Sequence, residues 1–481
     1  MAEIVTRSSI LLVKLPPWDY RTPPLGIAYL ATFLKSKGME AKVFDLNIEM
    51  YNSESGEKKK GWGDEDFHWW QSNRSEQKYS VMFEHFSDRI LSFNTKTIGF
   101  SATLPSIPFL NQLLKYIKKK ASDRIIIVGG PATFFYEDGR QELDKSMIDY
   151  FVISDGEIAL YELLNNLGDD GTLSMDKNSS CKIWKDMPSD RTICIQTPNI
   201  MDLDSVGFPT FEEFNLSAYA EGHFTLPIIF SKGCNRFCSF CSDTVLSHPY
   251  RCRKPENVVK EIKTHLGRYR NIYTFRLADL SFNANLKFLD KFCGLIIAEG
   301  LNIKWYGQGQ VRADMDKNLL SKMEKAGCRQ FSLGVESFSD HVLYMMKKGY
   351  TAEKADQFIK RSKDAGIEIH IALIVGFPGE TEEDFDNTLN YIAQNNSYID
   401  RVCSLNICGF PVGSEIRKYP EKYDYFCPSG IGNWETSDRL NTMAVRKRRY
   451  NEVISRCNEL GIPVDACLDL EVFEARFNKK E

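Results

Sequence analysis

The sequence predicts an α/β protein built from two parallel-sheet domains. Three observations carry this expectation. Short apolar runs alternate with helix-patterned stretches from about residue 9 to 168, the pattern of strands covered by helices on both faces. The alternation stops and then restarts near residue 226. Finally, 481 residues exceed what one core usually needs, so two or three domains are expected. With 43% hydrophobic residues, 26% charged residues and a formal net charge of -4, the composition is that of an ordinary globular protein. It offers no excess charge to attract nucleic acid or an anionic membrane. The apolar run in "MAEIVTRSSILLVKLPP" ends at prolines and is too short for a signal segment or a membrane span. A cytoplasmic protein is therefore expected.

In chain order, "SILLVKL" (9–15) reads as a buried strand and "PPLGIAYLATFLKSKG" (23–38) as a helix stopped by glycine. "EAKVFDLN" (40–47) is the next strand. "KTIGFSA" (96–102), a helix over 106–120, "RIIIVGGPA" (124–132) and "IDYFVISDGEIALYELLNNL" (148–167) continue the alternation. About five such units predict a doubly wound, flavodoxin-like fold over residues 8–168. "GDDGTLSMDKNSS" is turn chemistry, so a linker is expected at 169–222. From there, strands near "PIIFSK", "IYTFRLAD", "NIKWYGQ", "RQFSLGVES", "IEIHIALIVG" and "DRVCSLNIC" alternate with helical patterns. They predict a parallel (β/α)6 barrel, complete or open, over 223–415. The remainder, 416–481, is expected as a helical appendage containing "SDRLNTMAVRKRRYNEVISRCNELG". No internal repeat or low-complexity tract interrupts the chain.

Thirteen cysteines without the regular spacing of a disulfide scaffold are expected to be mostly reduced thiols. Three of them, Cys234, Cys238 and Cys241, crowd into "SKGCNRFCSFCSDT" (231–244). This loop follows the first barrel strand, at the end where barrel active sites are built. Soft thiolates hold iron–sulfur clusters or zinc, and purely structural sites of either kind usually take four protein ligands. Cys252 offers itself as a fourth ligand of a zinc site. Unrelated buried thiols are the remaining alternative.

Cys-x3-Cys-x2-Cys with Phe240 before the last cysteine resembles the signature of the radical S-adenosylmethionine (SAM) superfamily. The resemblance implies a [4Fe-4S] cluster held by Cys234, Cys238 and Cys241, with the fourth iron left for the amino and carboxylate groups of SAM. It extends in order along the barrel. "RLADLSFN" places Asp279 at the second strand's end, and "WYGQGQVRAD" places Gln308 and Arg312 at the third. "LGVES" places Glu336 and Ser337 at the fourth, and "LIVGFPGET" places Gly376, Pro378, Gly379 and Glu380 at the fifth. Each signal alone is weak, because a strand-end carboxylate is about as often a helix cap and Gly-Phe-Pro-Gly is usually a turn. On one barrel face they are expected to form a SAM pocket, glycines admitting the ligand and polar groups gripping its ribose and ammonium.

The first domain is similar to the N-terminal half of cobalamin-binding radical SAM proteins, through "LPPWDYRTPPLGIAYLATFLKSKG", "VFDLN", "IGFSA", "IVGGPA" and "SDGEIALYELL". Gly129 and Gly130 are then candidates for a close approach to a corrin or a phosphate; a vestigial structural domain with tight turns is the alternative. Many cobalamin proteins of this fold carry an Asp-x-His-x-x-Gly loop after the first strand. Here "PPWDYRTPPLG" has no histidine, which leaves histidine-off binding or no cobalamin. An aromatic-rich insertion at 58–80, with Trp62, Trp69 and Trp70, is read either as a shield over the cofactor or substrate channel or as ordinary packing.

The resemblance implies reductive cleavage of SAM to a 5'-deoxyadenosyl radical, a small-molecule substrate, and an electron donor such as flavodoxin or ferredoxin. Methylation of an unactivated carbon is the expected reaction. A cobalamin-assisted rearrangement, cyclisation or oxidation is the nearest alternative, and a non-catalytic metal-binding interaction protein is the alternative from another class.

Overall fold

Five consecutive buried residues, from Ile10 to Lys14, make β1 (Ser9–Lys14) a strand covered on both faces. Residues 9–54, 62, 70, 78–135, 139–174, 180–243, 248–427 and 433–466 are described by this computed structural model. The chain divides into two units, Met1–His223 and Phe224–Glu481.

In the first unit β1 is followed by α1 (Leu25–Ser36), β2 (Glu40–Asp45), α2 (Leu46–Ser53), α3 (Phe83–Leu91), β3 (Thr97–Ser101) and α4 (Ile107–Lys120). Then come β4 (Ile125–Gly129), β5 (Tyr150–Ile153), α5 (Gly156–Asn165), β6 (Lys182–Trp184) and β7 (Ile193–Gln196). The strand order is β2-β1-β3-β4-β5-β7-β6, and every pair is parallel except β6 with β7. The first five strands have the flavodoxin-like order, with the topological switch between β1 and β3. Leu11, Val13, Ile98, Phe100, Ile126 and Val128 join Phe83, Phe86, Phe109 and Leu110 in one core.

Two expectations change here. Trp62 and Trp70 are buried in that core, Trp62 donating from Nε1 to Asn47 Oδ1 at 2.8 Å and Trp70 stacking on Tyr79 at 5.7 Å. Packing accounts for both, and Trp69 lies outside the described residues. The expected linker at 169–222 is corrected in part: β7 pairs with β5, and Tyr219 donates to Asp45 Oδ2 at 2.7 Å. A short strand among turn residues is buried here because β5 needs a partner on its open side.

The second unit runs β8 (Thr225–Ile228), β9 (Ser231–Lys232), β10 (Arg251–Cys252), α6 (Pro255–Arg268), β11 (Thr274–Leu277), α7 (Leu286–Ala298), β12 (Lys304–Gly309) and α8 (Lys317–Lys325). It continues with β13 (Cys328–Glu336), α9 (Asp340–Met345), α10 (Ala352–Asp364), β14 (Glu368–Val375), α11 (Glu382–Gln394), β15 (Arg401–Ile407) and α12 (Glu415–Lys418). The last elements are β16 (Tyr425–Phe426), β17 (Glu435–Thr436), α13 (Met443–Glu459) and β18 (Val464–Ala466). Its main sheet is wholly parallel, in the order β18-β15-β14-β13-β12-β11-β8. Neighbouring in space follows neighbouring in sequence, as in a barrel wall, and β8 and β18 are its two open ends. The appendage helix is present as α13, and it also carries the chain back to a seventh strand. Alternation sorts side chains between the two faces: Phe331, Leu333, Val335, Ile369, Ile371 and Leu373 are buried, whereas Ser332 and His370 point the other way as partly exposed neighbours in register. Among the described residues no helix is long and apolar enough to cross a membrane.

Candidate functional site

The three clustered cysteines sit between β9 and β10, which pair antiparallel and close the loop at its base. Asp279, just past β11, fixes the exit from β8. Its carboxylate accepts from Phe230 N at 2.9 Å, Ser231 N at 2.6 Å and Ser231 Oγ at 2.6 Å. Burial lifts its pKa to about 6 against the pull of those hydrogen bonds. Asp279 thus serves the cysteine loop, and both its oxygens are already engaged by the chain. Ser239, fully buried, pins the middle of the loop. Its N–H and Oγ donate to Met346 O and Met345 O, each at 3.0 Å, and its carbonyl accepts from Ile416 N at 2.9 Å.

Cys234, Cys238 and Cys241 are partly exposed and none is in a disulfide. Burial raises the Cys238 thiol's pKa, opposed by Lys348 and Arg236. Among the described residues no three His, Cys, Asp or Glu side chains converge as ligands of a single metal ion. Thiolates of a four-iron cluster each bind a different iron and do not need to converge in that way. Cys252 lies apart, in β10, opposite Ser231.

Glu336 ends β13 at φ 71°, beyond a register shift. This left-handed conformation is costly for a residue with a side chain. Its carboxylate is buried beside the Lys348 ammonium, Oε1 to Nζ 3.3 Å. Burial raises the Glu336 pKa, and Lys348 opposes that rise. Lys348 also faces the ring of Phe240, within the cysteine loop, at 5.5 Å. Gly334 makes the fold-back possible, since a Cβ there would stand 2.7 Å from Glu336 Oε1. Ser337 turns elsewhere: its hydroxyl lies 3.2 Å from Thr388 Oγ1 on α11 and accepts from Ser339 N at 3.1 Å.

On β12, Gln308 is exposed, in register with Ser332. Arg312 donates to Ala284 O at 2.8 Å and grips Asp314 at 2.8 and 2.6 Å, joining two strand-end loops. Gln310 reaches the cysteine loop, donating to Asn235 Oδ1 at 3.0 Å and accepting from Arg236 Nε. It was missed from sequence because it lies just past the end of β12, where strand alternation no longer assigns a face. Lys348 was missed because twelve residues separate it from Glu336.

The Gly376–Glu380 turn follows β14. Gly376 has φ 75° and donates from its N–H to Glu380 Oε2 at 2.6 Å. Pro378 is buried and Gly379, at φ 86°, is exposed. Glu380 is buried, its Oε2 also accepting from Arg449 Nη1 on α13 at 2.7 Å. Its carboxylate is thus engaged within the protein through Oε2.

In the first unit, Gly129 is half-buried and Gly130 exposed at the end of β4. Gly130 has φ 93°, and a Cβ on it would stand 2.7 Å from Ala102 O, so the exits of β3 and β4 can run side by side only with glycine there. At the switch point Lys14 lies in register with Asp45 and Ser101. Burial lowers its pKa to about 7. Trp18 stands 3.6 Å from the Lys14 ammonium and is 38% exposed, in the loop where a ligating histidine would be sought.

The structure thus joins in one chain an α/β unit with its topological switch between β1 and β3 and a second with a thiol loop at the C-terminal edge of a barrel wall. Family comparison gives the same division: residues 18–164 match the B12 binding domain and residues 228–392 the Radical SAM superfamily. The second unit thus carries a radical SAM superfamily domain, and a B12 binding domain precedes it in the chain. It is 24% identical over 396 residues to an uncharacterised methyltransferase, PH0819, of Pyrococcus horikoshii, covering 79% of this chain and 77% of that protein. It is 27% identical over 373 residues to an anaerobic magnesium-protoporphyrin IX monomethyl ester cyclase of Rubrivivax gelatinosus, covering 76% and 61%. The fold is similar to that of TsrM, a radical SAM methyltransferase of Kitasatospora setae whose structure holds cobalamin and a [4Fe-4S] cluster. The TM-score is 0.63 at 16% identity, over 92% of this chain and 82% of that one.

Family membership brings a [4Fe-4S] cluster and SAM to the second unit and cobalamin to the first. The residues present fit these groups. Three thiols outside any disulfide share one loop closed at its base by β9 and β10, and the exit of β4 carries Gly129 and Gly130, while the loop after β1 has no histidine and so fits only histidine-off binding.

Proposed function

We propose that the protein is a cobalamin-dependent radical SAM methyltransferase acting on an unactivated carbon of a small molecule. Cys234, Cys238 and Cys241 hold the cluster, and Gly129 and Gly130 line the corrin edge. When bound, the cluster supplies the electron that cleaves SAM and cobalamin supplies the methyl group. The buried Glu336–Lys348 pair beside the cysteine loop carries this reading. Its carboxylate can accept from the N–H of SAM's amino group or from its ribose hydroxyls, and its ammonium can pair with SAM's carboxylate, in a site where burial strengthens both contacts. Gly376, Pro378 and Gly379 give SAM a backbone turn whose exposed point is Gly379. Asp279, Arg312, Ser337 and Glu380 hold the surrounding loops, and Gln308 faces the space left for the substrate. A small, low-potential protein such as flavodoxin or ferredoxin delivers the electron.

Product counting tests the reaction. Under anaerobic conditions with reductant, SAM and cobalamin, methyl transfer yields S-adenosylhomocysteine together with 5'-deoxyadenosine once the substrate is present. The substrate is sought by comparing metabolites of cells with and without the protein. Formation of 5'-deoxyadenosine with no S-adenosylhomocysteine would reject methyl transfer and favour a rearrangement, cyclisation or oxidation, the direction in which the cyclase relative points.

A further inference from the structure

We infer that the C-terminal helix α13 holds the SAM-binding turn in its binding shape, with Arg446 and Arg449 as its positioning residues. This rests on the assignment of the Gly376–Glu380 turn to SAM. The two arginines lie one helical turn apart and are 0% and 1% exposed. Side chains of this type are almost never fully buried without a partner or a purpose.

Both pack against the same five residues, Arg449 through its guanidinium and Arg446 through its stem. Arg449 donates from Nη1 to Glu380 Oε2 at 2.7 Å and from Nη2 to Glu380 O at 3.2 Å. The same Oε2 receives the N–H of Gly376, so one carboxylate oxygen bridges the guanidinium and the first amide of the turn. Arg446 supports the turn from beneath. A Cβ on Gly376 would stand 2.3 Å from Arg446 Cγ, so the arginine stem occupies the space a side chain would need. Its guanidinium lies 3.7 Å from the Trp434 ring centre and donates to Trp434 O at 2.7 Å and Asn441 O at 3.0 Å. Asn441 in turn donates from Nδ2 to Phe377 O at 2.9 Å.

The amide of Gly376, the carbonyl of Phe377 and the carbonyl of Glu380 are therefore fixed by groups that α13 and its leading segment hold in place. A glycine-rich turn has several accessible backbone conformations. Selecting one in advance removes an entropic cost from ligand binding. Glycine at 376 is then required by the arginine that shapes the turn, whose stem fills the space a side chain would take.

The test uses full-length, cluster-loaded protein under anaerobic conditions and three variants: Arg449→Gln, Arg449→Lys and Arg448→Gln. Arg448 lies on the same helix but is exposed and pairs with Glu382 and Glu452. Iron content, SAM affinity by equilibrium binding, and the change in the reduced cluster's electron paramagnetic resonance on adding SAM are measured well below the unfolding temperature. Arg449→Gln is expected to keep the cluster while losing SAM affinity by about tenfold or more and broadening the SAM-induced spectral change. Arg449→Lys recovers part of the affinity, and Arg448→Gln matches the unaltered protein. A folded, cluster-loaded Arg449→Gln with unaltered SAM affinity overturns the inference. So does a loss in both Arg449 variants that only parallels lost iron and lost thermal stability. Unaltered protein that holds the cluster but binds no SAM refutes the assignment of the turn itself.

Discussion

Asp279 accepts two hydrogen bonds from Ser231, one from the amide and one from the hydroxyl, each 2.6 Å long. A carboxylate at the end of one strand thereby sets the direction in which the neighbouring strand leaves for the cysteine loop, three residues before Cys234.

Replacing Asp279 by Asn removes one of the acceptors and is expected to lower iron incorporation. The pH dependence has a definite sign. Burial raises the folded-state pKa to about 6, above the usual aspartate value of about 3.9. The folded protein therefore keeps this proton to higher pH than the unfolded chain does. Asp279's contribution is fully present below about pH 4 and falls as pH rises towards 6, by about 2–3 kcal/mol. Thermal unfolding of the metal-free protein across this range, with Asp279→Asn as reference, measures it. A difference between the two that is constant with pH contradicts the shift.

Alanine at Cys234, Cys238 or Cys241 is expected to abolish the cluster's charge-transfer absorbance and all SAM cleavage. Cys252→Ala should leave iron and sulfide near about four each per chain, as a [4Fe-4S] cluster requires. Loss of the cluster in Cys252→Ala would mean a fourth protein ligand and no iron left open for SAM.

Glu336→Gln is expected to weaken SAM binding by about ten- to a hundredfold, the loss of one charge-assisted contact of roughly 1.5–3 kcal/mol. Lys348→Met leaves a buried carboxylate without its partner, so it should destabilise the fold by about 3–5 kcal/mol. The double variant should recover much of that stability while still binding SAM poorly. Strictly additive stability losses would show that the two groups do not interact.

Protein reconstituted with cobalamin is expected to show, in the Co(II) state, electron paramagnetic resonance without nitrogen superhyperfine splitting, because the loop after β1 offers Trp18 and no histidine. Splitting from one nitrogen would place a histidine or the cofactor's own base on cobalt. Failure to take up cobalamin stoichiometrically would leave the first unit a structural domain.

The central strands were legible in the sequence because runs such as Ile125–Val128 are buried on both faces, which leaves an uninterrupted apolar signature. The thiol loop was legible because its chemistry is crowded into eight residues. β6 and β7 were not, since a three-residue edge strand with exposed residues and a four-residue strand carry too little apolar pattern to stand out from turn residues. Nor were the partners of the strand-end carboxylates. Glu380 is joined to Arg449 across 69 residues, and Asp279 to Ser231 across 48. Sequence marks such carboxylates as strand-end polar groups, but only the folded chain shows whether their oxygens face a ligand or a neighbouring loop.

Because α13 and β18 return to the sheet beside β15, the second unit has no clean seam at residue 415, where its recognisable strand motifs end. A fragment cut there would retain Cys234, Cys238 and Cys241 yet lose both arginines behind the Gly376 turn, and β15 would become an uncovered edge open to pairing with other chains. Exchange of whole C-terminal modules between relatives is therefore constrained: an imported tail must supply a helix with two inward arginines and a closing strand. The segment before α13 shares that burden, since Trp434 and Asn441 link Arg446 to the turn, so tail and turn would have to change together.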